Sequence, residues 1–109
     1  MKGKIVLVPF PFTDLTVAKL RPALVIYEGD KDVVTAFISS KVPSKLSGVD
    51  ILITKNYAGF GKTGLKTDSV IKLDKIVTVL KDLIAGELGE LDEELRQAVN
   101  QKLKKAMEI

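Results

Sequence analysis

The sequence contains no cysteine, no histidine and no tryptophan. Those absences exclude disulfides, thiolate nucleophiles, Cys/His zinc clusters, haem ligation and every imidazole acid–base scheme. Chemistry is left to Arg, Lys, Ser, Thr, Tyr and carboxylates. Arginine is scarce: Arg21 and Arg96 stand against fifteen lysines, so each arginine invites inspection. No apolar run approaches the ~20 residues of a membrane-spanning helix. The four apolar residues after Met1-Lys2-Gly3-Lys4 are too few for a signal peptide, and the cytoplasm is the expected location. What is present is an ordinary globular composition, 46% hydrophobic and 28% charged over 109 residues. That length predicts one domain, residues 1–109, able to bury about two-thirds of its unfolded surface. The net charge of +3 is uneven, +5 over residues 1–78 and −2 over 79–109. A basic front favours a polyanionic partner there, although lysines also simply solvate a face.

Short β-rich runs dominate the first two-thirds. Ile5–Val8, Pro22–Tyr27 and Val33–Ile38 read as three strands, the last two joined by a hairpin at Glu28-Gly29-Asp30-Lys31. Val49–Thr54 and Ser69–Leu73 read as a fourth and a fifth. Residues 13–20, 39–48 and 57–67 read as loops rich in Pro, Ser, Lys or Gly. Ile76–Leu80 fits either a helical face or a β-branched strand; a strand at 76–80 is expected, then an extended segment near 83–91. Asp92 is a good helix N-cap, with Glu93 and Glu94 in the first turn and Lys102, Lys104 and Lys105 in the last. Leu95, Val99, Leu103, Ala106 and Met107 share a stripe, giving a helix of roughly four turns. Strands without intervening helices predict a mainly β protein, a small antiparallel barrel with a C-terminal α-helix.

Several residues are candidates for chemistry. Pro22 biases Arg21 toward an extended backbone, so its guanidinium leaves the sheet edge at a defined place. There it either grips a phosphate through parallel hydrogen bonds or joins a surface ion pair, with Asp14 or Glu28. Ser39 and Ser40, followed by Lys41, come just after the third strand, where hydroxyls bind phosphate or shape a turn. Tyr57, Phe60, Lys62 and Lys66 offer aromatic faces and cations, the means of holding a single nucleic-acid strand; the alternative is that both rings anchor the loop to the core. Asp68-Ser69 precedes the fifth strand, as a turn or a site. Gly59-Phe60-Gly61-Lys62-Thr63-Gly64 spells G-x-G-x-x-G. A strand-like segment follows it where a dinucleotide fold needs a helix, which argues against nucleotide binding.

Lys2–Asp14 (KGKIVLVPFPFTD), Lys19–Ile26 (KLRPALVI), Gly64–Ile76 (GLKTDSVIKLDKI) and Leu88-Gly89-Glu90-Leu91 before a helix together resemble the PemK/MazF-like toxins of type II toxin–antitoxin systems, over nearly the whole chain. The resemblance implies an SH3-like barrel acting as a homodimer, with no metal or other cofactor. It implies an endoribonuclease that cuts single-stranded RNA by attack of the ribose 2′-OH on the adjacent phosphate, leaving 2′,3′-cyclic phosphate and 5′-OH ends. It implies a cognate antitoxin and growth inhibition when that antitoxin is missing. Transferred residue by residue, Arg21 stabilises the charged phosphorane and protonates the leaving oxygen, and Ser39 stands where the family usually has threonine and bonds the scissile phosphate. Asp68 is the candidate base and Lys66 the neighbouring cation. The alternative is a non-catalytic nucleic-acid- or protein-binding module on the same barrel, an inactive relative or a gyrase poison like the CcdB toxins.

Overall fold

A computed structural model of the chain describes residues 1–10 and 19–109. Of the loop expected at 13–20, residues 13–18, with Asp14, lie outside them, and Lys19 and Leu20 are not loop but the start of a strand that pairs with Phe10 and Pro9. In chain order the elements are β1 (Lys4–Phe10), β2 (Lys19–Glu28), β3 (Asp32–Ser39), β4 (Asp50–Ile53), α1 (Phe60–Thr63), β5 (Ser69–Leu80), β6 (Gly86–Glu90) and α2 (Glu93–Met107). The strands form one six-stranded sheet in the order β4-β5-β3-β2-β1-β6, every neighbouring pair antiparallel. The expected antiparallel barrel with a C-terminal helix is borne out as a curled six-stranded sheet, against one face of which α2 packs Leu95 and Val99.

Both faces of the central strands are buried, which explains the near-continuous apolar runs. Ile5, Leu24, Ala36, Ile38, Ile71 and Leu73 point to one side, where Leu91, Leu95 and Val99 meet them. Val6, Val8, Ala23, Val25, Val33 and Val79 form a second cluster. Prolines sit where the ladder tolerates them. The Leu7 carbonyl accepts from the Ala85 N–H on the β6 side. Pro9, two residues on, faces the same way, past the last β1–β6 pair at Leu7 and Gly86.

The separate strands expected at 69–73 and 76–80 are one strand, β5. Ile76 pairs with Ala36 and Lys72 with Phe37, so Leu73-Asp74-Lys75 are surplus on β5. The surplus bends the strand, as bulges do, and lets its first part pair β4 as well as β3. The extended segment near 83–91 resolves into a 3₁₀ turn at Lys81–Leu83 followed by β6. Asp92 caps α2 as expected, accepting from the Leu95 N–H at 2.9 Å. The expected apolar stripe is buried only at Leu95 and Val99, with Leu103 packed at its margin; Ala106 and Met107 are exposed, because the helix has by then run past the sheet. Arg96 is a structural tie. Its Nε donates to the Leu91 carbonyl, its Nη1 to the Lys2 carbonyl, and its Nη2 lies 3.5 Å from Glu90.

Candidate functional site

The β2–β3 ladder ends at Ala23 and Phe37. The next residue on β2 is Pro22, which has no N–H to continue it. Beyond that point β3 keeps pairing with β5, through Ser39 and Val70, while β2 keeps pairing with β1, through Arg21 and Val8. The two strands therefore part, and the gap is a cleft of about 650 Å³. Arg21 and Pro22 line one wall and Phe37 to Lys41 the other; Leu7, Leu88 and the segment Gly64–Thr67 with Ser69 complete it. Phe37 backs onto Phe10 with ring centroids 5.0 Å apart, a contact that stiffens the wall.

Arg21 is half-buried and its Nε is out of solvent. Lys41 and Lys66 are exposed at the rim. Among the described residues the lining carries these three cations and no carboxylate, so its field favours an anion. Ser39 Oγ accepts the Lys41 N–H at 3.1 Å. It shapes the turn and keeps an O–H proton for a second partner. Both expected roles of this position are thus compatible in one side chain.

The Gly64–Thr67 lip is set by close backbone contact. Gly64 ends α1 in the left-handed region at φ 72°, and a Cβ there would lie 2.0 Å from the Leu88 carbonyl oxygen. A Cβ on Gly89 would lie 2.3 Å from the Lys62 carbonyl oxygen. The two sequence blocks Gly64-Leu65 and Leu88-Gly89 therefore press backbone on backbone, which only glycine allows. Buried Thr63 donates to the Phe60 carbonyl at 2.6 Å and accepts from the Leu65 N–H at 3.2 Å, locking the turn that presents Lys66.

Of the residues singled out from sequence, Arg21, Ser39, Ser40, Lys41 and Lys66 come together in the cleft. Four others stand outside its lining. Asp68 Oδ1 accepts the Lys55 N–H at 2.7 Å, one step beyond the last β4–β5 pair, Ile53 with Ser69. It closes a turn and is not among the residues that line the cleft. Tyr57 and Phe60 pack against the core, so the anchoring alternative holds for both rings. The Tyr57 hydroxyl donates to Asp92 Oδ2 at 2.5 Å; that bond holds the phenol above its usual range and Asp92 below the usual carboxylate range. Lys62 is exposed on α1, where its charge also favours ionised Asp92. Glu28, a suggested partner for Arg21, lies at the far end of β2 and binds Lys81 and the Met1 amine instead. Sequence reasoning missed the apolar lining of Leu7, Phe37 and Leu88, whose facing depends on strand register.

A family model of the PemK-like, MazF-like toxin of type II toxin–antitoxin systems matches residues 1–107. The chain belongs to this family. No curated protein sequence matches it. In fold this PemK/MazF-like chain is similar to the Mycobacterium tuberculosis toxin MazF-mt6, at 17% identity and a TM-score of 0.73, with 97% of each chain covered. It is also similar to an endoribonuclease of a mycobacterial species in complex with its cognate antitoxin. There the identity is 18% and the TM-score 0.72, covering 98% of this chain and 93% of that one. The PemK/MazF-like assignment explains why the blocks around Arg21, Gly64 and Gly89, distant in sequence, are those that enclose one cleft.

Proposed function

We propose that this PemK/MazF-like protein is a toxin endoribonuclease that cuts single-stranded RNA at the Arg21–Ser39 cleft, without a metal, and is neutralised by a cognate antitoxin. The observation that carries the reading is the convergence of Arg21, Ser39, Lys41 and Lys66 on one concave site between parted strands. A fold neighbour that is an endoribonuclease held by its antitoxin supports both halves of it.

The scissile phosphate sits between the Arg21 guanidinium and the Ser39 hydroxyl. The 2′-OH of the preceding ribose attacks phosphorus and gives its proton to water; the bond to the 5′-oxygen of the next nucleotide breaks and that oxygen takes a proton from Arg21, which water restores, giving cyclic-phosphate and 5′-OH ends. Arg21 offsets the charge gathered on the phosphorane, and a half-buried cation does this better than one in bulk water. Ser39 fixes the phosphate for in-line attack. With Asp68 turned to Lys55, orientation and charge stabilisation carry the reaction in this reading. DNA lacks the nucleophile and is not cut. The single toxin domain spans 1–109, acts in the cytoplasm and works as a homodimer.

The test is incubation of purified protein with mixed single-stranded RNA in EDTA. Cyclic-phosphate ends that form with the wild type and vanish with Arg21→Ala are the expected result. Folded protein that arrests growth but leaves every RNA intact would instead establish the non-catalytic, gyrase-poison reading.

A further inference from the structure

Lys41 stands at the cleft rim and also opens the loop that joins β3 to β4. That loop reads Lys41-Val42-Pro43-Ser44-Lys45-Leu46-Ser47-Gly48. A cation followed by an apolar residue occurs twice, four residues apart, and all four side chains are exposed. Val42 is 41% and Leu46 40% exposed, unusual for aliphatic side chains with a core close by. The loop is not loose at its far end. Asp50 Oδ2 accepts the Ser47 N–H at 3.0 Å while its Oδ1 meets Lys72 Nζ at 3.3 Å.

The loop also touches α2. Lys102 Nζ donates to the Gly48 carbonyl at 3.3 Å. Lys105, three residues on, lies on the same helical face and is exposed. Among the described residues the lysines that meet a carboxylate are Lys4 with Glu87, Lys72 with Asp50 and Lys81 with Glu28. Among the described residues Lys41, Lys45 and Lys105 form no ion pair. The acid nearest the loop in sequence, Asp50, is already engaged by the Ser47 N–H and by Lys72.

We infer that the 41–48 loop and the last turns of α2 form a track for the RNA strand outside the cleft, running Lys41, Lys45, Lys105. The inference rests on the ribonuclease reading of the cleft. Phosphates lie along the three lysines, as along the basic groove that tracks a single strand, and the intervening bases cover the exposed aliphatic faces of Val42 and Leu46. The track reads no sequence. It adds affinity for long substrates and leaves the chemical step alone.

The experiment compares mixed-sequence 2′-O-methyl oligonucleotides of four and sixteen nucleotides, which bind but lack the attacking hydroxyl, by fluorescence anisotropy over a salt series. Wild type is expected to bind the longer probe at least tenfold more tightly. In Lys45→Ala/Lys105→Ala that advantage falls about tenfold and the salt slope drops by about 1.4, the value for two single-strand phosphate contacts. Binding of the four-nucleotide probe and the rate of cutting at saturating RNA stay unchanged. Lys31→Ala, at the opposite hairpin, serves as the charge control. Equal losses for Lys31→Ala, or no length dependence with the short probe still bound and short RNA still cut, would overturn the track while the cleft reading stands. Loss confined to an acidic peptide would hand the surface to a protein partner and also overturn it. No binding or cutting of RNA of either length would remove both.

Discussion

The two ends of the β2–β3 pair make opposite uses of the same strands. At the hairpin end the chain turns at Gly29-Asp30-Lys31, and the ladder, past a bulge between Val25 and Tyr27, continues to Glu28 and Val33. Glu28 there binds Lys81 at 2.8 Å and also the Met1 amine, and its carboxyl is pulled down to about 2 chiefly by the Lys81 hydrogen bond. At the other end Pro22 stops the ladder, the strands part, and Arg21, Lys41 and Lys66 gather without a carboxylate among the described lining. One end uses charge to close the sheet. The other keeps like charges close, an arrangement favoured once an anion is bound. A functional site in so small a sheet is the place where pairing was given up.

The sharpest break of this contrast is Arg21→Ala. Cutting of RNA should fall about a hundred- to a thousandfold, the usual cost of removing one donor from a charge-stabilising site. Circular dichroism and melting temperature should barely change, because the side chain lies at the ladder's open end. A variant that cuts normally would take Arg21 out of the mechanism.

Gly64→Ala tests whether the lip depends on backbone contact. The new Cβ meets the Leu88 carbonyl and the φ of 72° is unfavourable for alanine. Denaturant unfolding should show a loss of at least ~2 kcal/mol, with KM for RNA raised because Lys66 moves. A third variant, Asp92→Ala, removes an N-cap and the acceptor for Tyr57 together. Loss of the cap costs roughly 1 kcal/mol. Tyr57 should then titrate closer to an ordinary phenol, as read by ultraviolet absorbance.

The smallest effect belongs to the hairpin end. Glu28 is ionised more readily in the folded chain than in the unfolded one. Its contribution is therefore complete above the unfolded carboxylate value and is lost as pH falls toward 2. Lys81→Met should lower the melting temperature slightly at pH 7, and the difference from wild type should vanish as pH falls from 5 to 2, flattening the decline. The pair is exposed, so added salt should shrink the difference.

Much of the fold was legible because it follows local rules. Ile5–Val8 and Val33–Ile38 are strands by composition, and Asp92 with Glu93 and Glu94 announces α2. Boundaries failed where pairing overrode composition: β5 runs through Asp74 and Lys75 because β3 holds both of its halves. Of the site, Arg21, Ser39 and Lys66 were legible from the proline beside one, the strand end before another and the glycine block around the third. Asp68 misled because an acid before a strand serves a turn as readily as a reaction. Tyr57 and Phe60 misled because an aromatic ring in a glycine-rich loop gives no sign of which way it faces.

By itself the sequence determined which chemistries were open. Without histidine or cysteine, a scarce arginine beside a proline was the leading candidate for binding a phosphate, and successive short apolar runs without helices between them pointed to an antiparallel sheet. Tertiary structure decided which polar groups share a space. Where β2 leaves β3, how β5 bends and how closely Gly64 approaches Leu88 are set by contacts between segments far apart in the chain, and local propensity carries no information about them. Those contacts bring Arg21, Ser39 and Lys66 together and turn Asp68 and Tyr57 away.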